Sequence, residues 1–438
     1  MPVKRNKPQK NKQQATDYQV DITEVGAQGD GIGMVDGLPI YVPMTMAGDK
    51  VTARVQKENK NGLMAELVSI DTPSPDRQAP VCQHFGRCGG CQLQMLPDQQ
   101  YSDWVKSRVA AALAHHGFED DIITDPIISP LASRRRVALK VLKTGANVVL
   151  GFNVKSSAQI VDLKECPVTL KAITDLFDPL RKLLGARLQN RASGTITITQ
   201  TATGLDLLVD IPHTLTLEDR EALTDFATSH DLAAIHWMDQ GFLDPVLVRR
   251  EPVMHFGDQA VALPPAAFVQ ATQEGEDALV GAVKAALKGH KRMADLFAGI
   301  GTFSLPMASD MQVLAVEGAK AAIDALQNGV NQASGLKKVV ALHRDLFRRP
   351  LSTKELSAFD AVVFDPPRAG AKEQVLELAQ SEVRTIVGVS CNPNTFSRDA
   401  RILVDGGYHL ETVIPVDQFL YSPHVEIVGV FKKDAVTA

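Results

Sequence analysis

Met293-Ala294-Asp295-Leu296-Phe297-Ala298-Gly299-Ile300-Gly301-Thr302-Phe303 sets two glycines directly after an apolar run and before a helical stretch. A backbone of this kind can approach a cofactor closely, because no Cβ stands in the way. One Gly-x-Gly is a weak signal by itself. It gains weight from Glu317 in VLAVEG, sixteen residues past Gly301, which ends the next apolar run where a carboxylate can accept hydrogen bonds from ribose hydroxyls. The third glycine of a dinucleotide fingerprint is missing; Leu305 stands near its place.

Outward from this loop the pattern repeats. QVLAVEG, VVALHRD, AFDAVVFD, TIVGVS and HLETVIPV are apolar runs separated by helical segments, and several end on Gly, Asp or Asn. Continuous apolar strands alternating with helices predict a mostly parallel sheet covered on both faces, over residues 260–438. Ligands in such sheets bind beyond the strand C-termini. There Asp295, Glu317, Asp345 and Asp365 place an acid on successive strands. A dinucleotide pyrophosphate would be repelled by them; S-adenosyl-L-methionine, with its sulfonium cation and its ribose, suits them.

Upstream, residues 17–75 read as short Val- and Ile-containing runs (YQVDITEV, GIGMVDG, LPIYVP, KVTARVQ, MAELVSI) divided by Gly-rich or charged turns, the pattern of a small β-barrel. Such a barrel could bind RNA or pad the fold. Gly29, Gly31 and Gly33 are expected at a turn, a bulge or a close approach. Residues 1–16 carry five basic and no acidic side chains, so the formal charge of −5 leaves the remainder near −10. They predict a disordered basic arm, either a solubilising tail or a phosphate contact. Residues 76–259 read as a mixed α+β region with a helix over about 97–116. No run of eighteen apolar residues occurs, so a cytoplasmic protein without a membrane span is expected.

The five cysteines divide by spacing. Cys82-x5-Cys88-x2-Cys91 puts three thiols in ten residues, with Gly86, Gly89 and Gly90 letting the backbone wrap, and Cys166 can close the set. All-thiolate ligation admits structural zinc or an iron–sulfur cluster. The lone distant fourth cysteine, in place of a second Cys-x-x-Cys hook, tilts the choice toward the cluster. Disulfides do not fit a chain lacking a secretion signal.

Cys391, in VGVSCNPNTFSRD, stands apart from that set and follows an apolar run. A thiolate here is a candidate nucleophile, with Asp365-Pro366-Pro367-Arg368 as a rigid neighbouring loop and Glu426 in His424-Val425-Glu426 as a proton acceptor. Methylation of an unactivated pyrimidine carbon calls for these groups. A thiolate added to C6 of uracil makes C5 nucleophilic toward the methyl sulfonium, and a base then removes the C5 proton. The uridine must be unstacked to meet the thiol.

Taken together, these motifs resemble the bacterial RNA 5-methyluridine methyltransferases, in particular the iron–sulfur branch acting on 23S rRNA. The resemblance spans nearly the whole chain after the tail. It implies an OB-like TRAM barrel at 17–75, a central α+β iron–sulfur domain at 76–259 whose helix near 97–120 packs with the catalytic domain, and a Rossmann-like methyltransferase domain at 260–438. It implies a [4Fe-4S] cluster on Cys82, Cys88, Cys91 and Cys166; S-adenosyl-L-methionine held by Gln270, Phe297, Thr302, Glu317, Asp345 and Asp365; Cys391 as nucleophile and Glu426 as base. The expected partner is 23S rRNA, acted on by a monomer, with tRNA as the alternative substrate and a non-catalytic RNA-binding assembly factor as another. Two positions depart from the family pattern. Ala298 stands where a cysteine is common, and Thr302 where Asn is common, the latter altering a hydrogen bond toward the methionine part of the cofactor. Arg134-Arg135-Arg136 reads as a phosphate stripe or a solvated edge, and in a strand Arg135 would face away from the other two.

Overall fold

The structure is a computed structural model that describes residues 16–433. The basic arm expected over 1–16 lies, apart from Thr16, outside them. The chain forms two compact units: one ends at Pro80 and includes Gln92–Asp98, the other comprises Val81–Cys91 and Gln99 onward.

In the first unit six strands between Asp17 and Thr72 make one sheet. Alternation explains its core: Val20, Ile22, Ile40, Val42, Val51 and Ala53 point inward and are almost fully buried. Gly31 lies within the strand Asp30–Val35, where an added Cβ would run into the Thr45 hydroxyl, so close approach accounts for it.

The second unit contains two large sheets. The first joins strands between Arg136 and Val248 and buries Val137, Leu139, Ile196, Ile198, Leu207 and Val209 under the helices Phe177–Arg187 and Leu217–Ser229. Thr216 and Asp219 close a capping box at the start of the latter helix. The opposite face carries Lys140, Thr195 and Thr197, as period-two alternation requires.

The second sheet has eight strands. Arg292–Leu296 pairs in parallel with Gln312–Glu317 on one side and with Ala361–Phe364 on the other. Val339–His343 and Thr385–Ser390 extend the parallel set outward. Glu426–Lys432 then inserts antiparallel between Thr385–Ser390 and His409–Asp417. Ala361–Phe364 and Thr385–Ser390 are buried at every residue, which explains the apolar runs AVVF and IVGV within them. The strand order reverses beside Arg292–Leu296, and a crevice opens at such a switch point. Ile127–Ile128 joins the far edge of this sheet, and the helix Asp98–Ala114 buries Trp104, Val105, Val109 and Leu113. Among the described residues no helix is long and apolar enough to cross a membrane.

Candidate functional site

The crevice at the switch point is a cavity of about 650 Å3. Gln270, Phe297, Thr302, Glu317, Asp345, Asp365, Cys391 and Glu426 all line it, so the folded chain brings together the six residues that the resemblance gave to S-adenosyl-L-methionine and the two it gave to nucleophile and base.

The loop after Arg292–Leu296 forms its floor. Phe297, Gly299 and Gly301 all have positive φ (64°, 56° and 106°), which curls the backbone beneath the cavity. A Cβ on Gly301 would lie 2.6 Å from Leu326 Cδ1, so glycine is needed there for space as well as conformation. Glu317 braces the loop: one carboxylate oxygen accepts the Gly299 N–H at 2.9 Å and the other the Ala319 N–H at 2.6 Å. Asp345 accepts the N–H of Phe347 at 3.0 Å and thereby turns the chain after its strand. Asp295 departs from the expected row of acids. It sits inside its strand, fully buried beneath the loop, where it accepts the Ser304 hydroxyl at 2.6 Å and does not line the cavity.

Two aromatic walls were not legible from spacing. Phe347 is 49% exposed with its ring 5.3 Å from that of Phe297. Phe268, two residues before Gln270, is 67% exposed. Exposed aromatics on a cavity rim offer flat apolar surfaces to a purine or pyrimidine. The only hint for Phe347 was an aromatic set in the polar run RDLFRRP. Gln270, by contrast, is buried; its Nε2 reaches Asp365 at 3.5 Å and its Oε1 accepts from Gln418 at 2.8 Å.

At the other end of the cavity stands Cys391. Asn392 caps the helix Pro393–Asp405, with Pro393 in the first turn, so the chain turns sharply right after the thiol. The Asn392 Nδ2 also donates to the Arg368 carbonyl at 3.1 Å, docking the Asp365–Arg368 loop beside Cys391. Ser390 pairs with Ile427, so Cys391 and Glu426 continue the same antiparallel pair by one step.

The electrostatics follow from burial. The Cys391 thiol is pushed up to about 11 by burial, with Glu426 and Asp365 adding to the rise and Arg368 opposing it. Burial, helped by Asp365 and opposed by Arg368, raises Glu426 to about 8. Burial alone raises Asp365 to about 7. Buried carboxyls beside a thiol, with one guanidinium to temper them, make a site able to hold and pass protons near neutral pH.

The four remaining cysteines lie in the same unit. Cys88 bridges to Val154, and Gly89 donates to the Asn153 carbonyl at 2.9 Å, tying the cysteine loop to the first sheet of this unit. Burial raises the Cys82 and Cys88 thiols, and Cys166 raises both further; Cys82 also feels Cys88. Backbone N–H groups of His84 and Gly90 point at the sulfurs of Cys82 and Cys88 at 3.4 Å, and the Thr169 hydroxyl at that of Cys166 at 3.2 Å. Cys91 Sγ lies 4.0 Å from the Leu420 carbonyl. Among the described residues no three His, Cys, Asp or Glu side chains converge tightly enough to hold a single metal ion. The sulfurs of Cys82, Cys88 and Cys166 nonetheless accept N–H or O–H donors that stabilise thiolate charge, whereas the Cys91 thiol donates toward the Leu420 carbonyl.

Of the three consecutive arginines, Arg135 is buried, paired with Glu276 at 2.6 Å, and donates to the Gln270 carbonyl at 3.1 Å. Arg134 lies with its guanidinium over the Phe419 ring, 5.1 Å from the centroid.

Residues 258–434 match the family described as tRNA (Uracil-5-)-methyltransferase, and residues 12–68 match the TRAM domain. A Brucella melitensis protein described as an uncharacterized RNA methyltransferase is 43% identical over 420 residues, covering 95% of this chain and 98% of its own. A Shewanella woodyi 23S rRNA (uracil(1939)-C(5))-methyltransferase is 30% identical over 435 residues, covering 97% and 98%. Among solved structures, the Pyrococcus abyssi tRNA (uracil-54, C5)-methyltransferase in complex with S-adenosyl-L-homocysteine is similar with a TM-score of 0.72 at 23% identity, covering 94% of this chain and 100% of that one. At that identity the likeness is one of fold.

Proposed function

The chain belongs to the RNA (uracil-5-)-methyltransferase family, and from that premise we propose that it methylates C5 of a uridine in 23S rRNA through a covalent bond from Cys391. The observation that carries this reading is the placement of Cys391 and Glu426 one step beyond a paired strand register, in the same cavity as the glycine loop. S-adenosyl-L-methionine supplies the methyl group and leaves as S-adenosyl-L-homocysteine. The residues present fit it. Gly299 leaves the cavity floor without a side chain, Gly301 lets the loop pack against Leu326, Glu317 and Asp345 stand where ribose hydroxyls would be met, and Phe297 with Phe347 offers faces for adenine. Gln270, Thr302 and Asp365 line the remainder.

In this scheme the Cys391 thiolate forms a bond to C6, the C5–C6 electron pair attacks the methyl carbon, and the carbon–sulfonium bond breaks. Glu426 then takes the C5 proton and the C6–Sγ bond breaks, restoring the double bond and the thiolate. Arg368 lowers the proton affinity of both groups and so favours their reactive forms.

The 23S rRNA assignment is supported by the full-length likeness to the Shewanella woodyi enzyme. Incubation with labelled cofactor and either unmethylated 23S rRNA or unmethylated tRNA, followed by nucleoside mass analysis, tests it. 5-Methyluridine in tRNA alone would overturn the rRNA assignment, and methyl transfer undiminished in Cys391→Ala would overturn the covalent step.

We assign a [4Fe-4S] cluster to Cys82, Cys88, Cys91 and Cys166. Its support is the reach of Cys166 to both Cys82 and Cys88, and of Cys88 to Cys82, with N–H and O–H groups aimed at the sulfurs of all three. The cluster would tie the 82–91 loop to the turn at Cys166 and has no redox role in the scheme. Anaerobic purification with iron and sulfide analysis tests it; stoichiometric zinc without iron would overturn it.

A further inference from the structure

Residues 418–425 link the strands His409–Asp417 and Glu426–Lys432, the second of which begins with the proposed base. Three arginines from distant parts of the chain converge on them. The Arg134 guanidinium stacks over Phe419 at 5.1 Å, and Phe419 meets His424 edge-on at 5.8 Å. Arg368 Nη2 lies 3.3 Å from His424 Nδ1. Arg108, on the helix Asp98–Ala114, donates from Nη2 to the Pro423 carbonyl at 3.2 Å. Burial first, and then Arg368, Arg108 and Arg134, hold the His424 pKa below its ordinary value. At neutral pH the imidazole is therefore uncharged and accepts from Arg368, while the guanidiniums keep their charge.

Arg108 and Arg134 differ from the buried Arg135, which has Glu276 as a partner. The Nε atoms of Arg108 and Arg134 are buried and make no hydrogen bond. Asp417 senses Arg134, but at the loop the contacts of Arg134 are aromatic and those of Arg108 are with a carbonyl. Desolvating guanidinium N–H groups without hydrogen-bond partners is costly, and three guanidiniums gathered at one loop are suited to receive an anion. Neither residue lines the cofactor cavity, whereas Arg368 does. The anion they would meet lies outside that cavity, next to Arg368 on its lining.

We propose that Arg108, Arg134 and Arg368, arranged around Phe419 and His424, form a trough that grips the phosphodiester beside the target uridine. This rests on the RNA reading above and adds the residues that hold the backbone while the base enters. Phosphate contacts of this kind set register and orientation without reading sequence.

The test is binding of fluorescein-labelled oligouridylate across a salt series, with S-adenosyl-L-homocysteine titrated in parallel by calorimetry. Arg108→Gln and Arg134→Gln should each weaken RNA binding and flatten the slope of log K against log salt by about 0.7, the value for one lost single-strand phosphate contact. Cofactor-product affinity should stay as in the parent. An unchanged salt slope, or RNA and cofactor-product affinity falling together, overturns the trough. On the parent protein, bound oligouridylate should also protect Arg108 and Arg134 from phenylglyoxal, read by peptide mass; equal modification with and without RNA overturns it independently of any variant. Failure of the parent protein to bind oligouridylate or any rRNA or tRNA transcript would instead overturn the RNA reading itself.

Discussion

The Tyr101 hydroxyl donates to Asp417 Oδ2 at 2.7 Å and accepts the Tyr421 N–H at 2.7 Å, joining the early helix to the loop that precedes Glu426. Both side chains are buried, and Tyr421 has a φ of 64°, so this hydroxyl holds a turn that the chain would not otherwise favour. Tyr101→Phe leaves Asp417 and the Tyr421 N–H short of a partner. It should lower stability by about 1–3 kcal/mol, measured by denaturant unfolding. It should also lower kcat in nucleoside-product assays more than it weakens cofactor binding, because Glu426 follows the loop.

Activity should rise with pH. Cys391 and Glu426 both act deprotonated, and both are raised, to about 11 and about 8. The profile of kcat/KM for RNA should therefore be steepest below about pH 8, where both groups titrate, and climb less steeply above it, where the thiol limb alone remains. A flat profile between pH 6 and 8 would separate Glu426 from the proton-transfer step.

Glu426→Gln removes one of the charges that raise Cys391. Its thiol pKa should fall, shifting the midpoint of Cys391 alkylation by iodoacetamide to lower pH, read on the Cys391 peptide. Methyl transfer should drop by about 100-fold or more, as expected on losing a general base. A midpoint that stays in place would show that the two groups do not sense each other.

Gly301→Ala places a methyl against Leu326 and forces a positive φ on alanine. Cofactor affinity should fall at least about tenfold by calorimetry with S-adenosyl-L-homocysteine. Gly299→Ala meets no protein atom, but it adds a methyl to the wall of the cavity the cofactor would fill and forces a positive φ on alanine, so it should also weaken cofactor-product binding while leaving the packing against Leu326 intact.

Asp295 offers a stability test. Burial raises it to about 7, while an unfolded aspartate ionises near 3.8. The folded state thus holds its proton more tightly, and stability falls as pH rises from about 4 to about 7. Asp295→Asn keeps an acceptor for Ser304 and removes that dependence. It should match the parent near pH 4 and exceed it by more than about 1 kcal/mol at pH 8.

Much of the fold was readable from local pattern. The Gly loop at 297–301, the apolar runs of the parallel sheet and the short strands of the first unit each follow from periodicity and turn chemistry, which are properties of neighbouring residues. The acids at Glu317, Asp345 and Asp365 were readable because a parallel strand delivers its C-terminal residue to one edge of the sheet. Asp295 was not, since one residue of offset within a strand sends a side chain into the core instead of the cavity. Phe347 was missed for a related reason: an exposed aromatic has meaning only once the surface beside it is known.

Sequence by itself determined which chemistry the chain could carry: a glycine cradle with acids for a cationic cofactor, four spaced thiols, and a fifth thiol with a distant carboxyl. Only the tertiary structure decided which groups meet. Insertion of Glu426–Lys432 between two other strands sets Glu426 against Cys391, and Tyr101 reaches Asp417 across more than three hundred residues. Such contacts depend on strand order and long-range packing, which local periodicity does not encode, so the parts of the site were written in the chain while its geometry came from the fold.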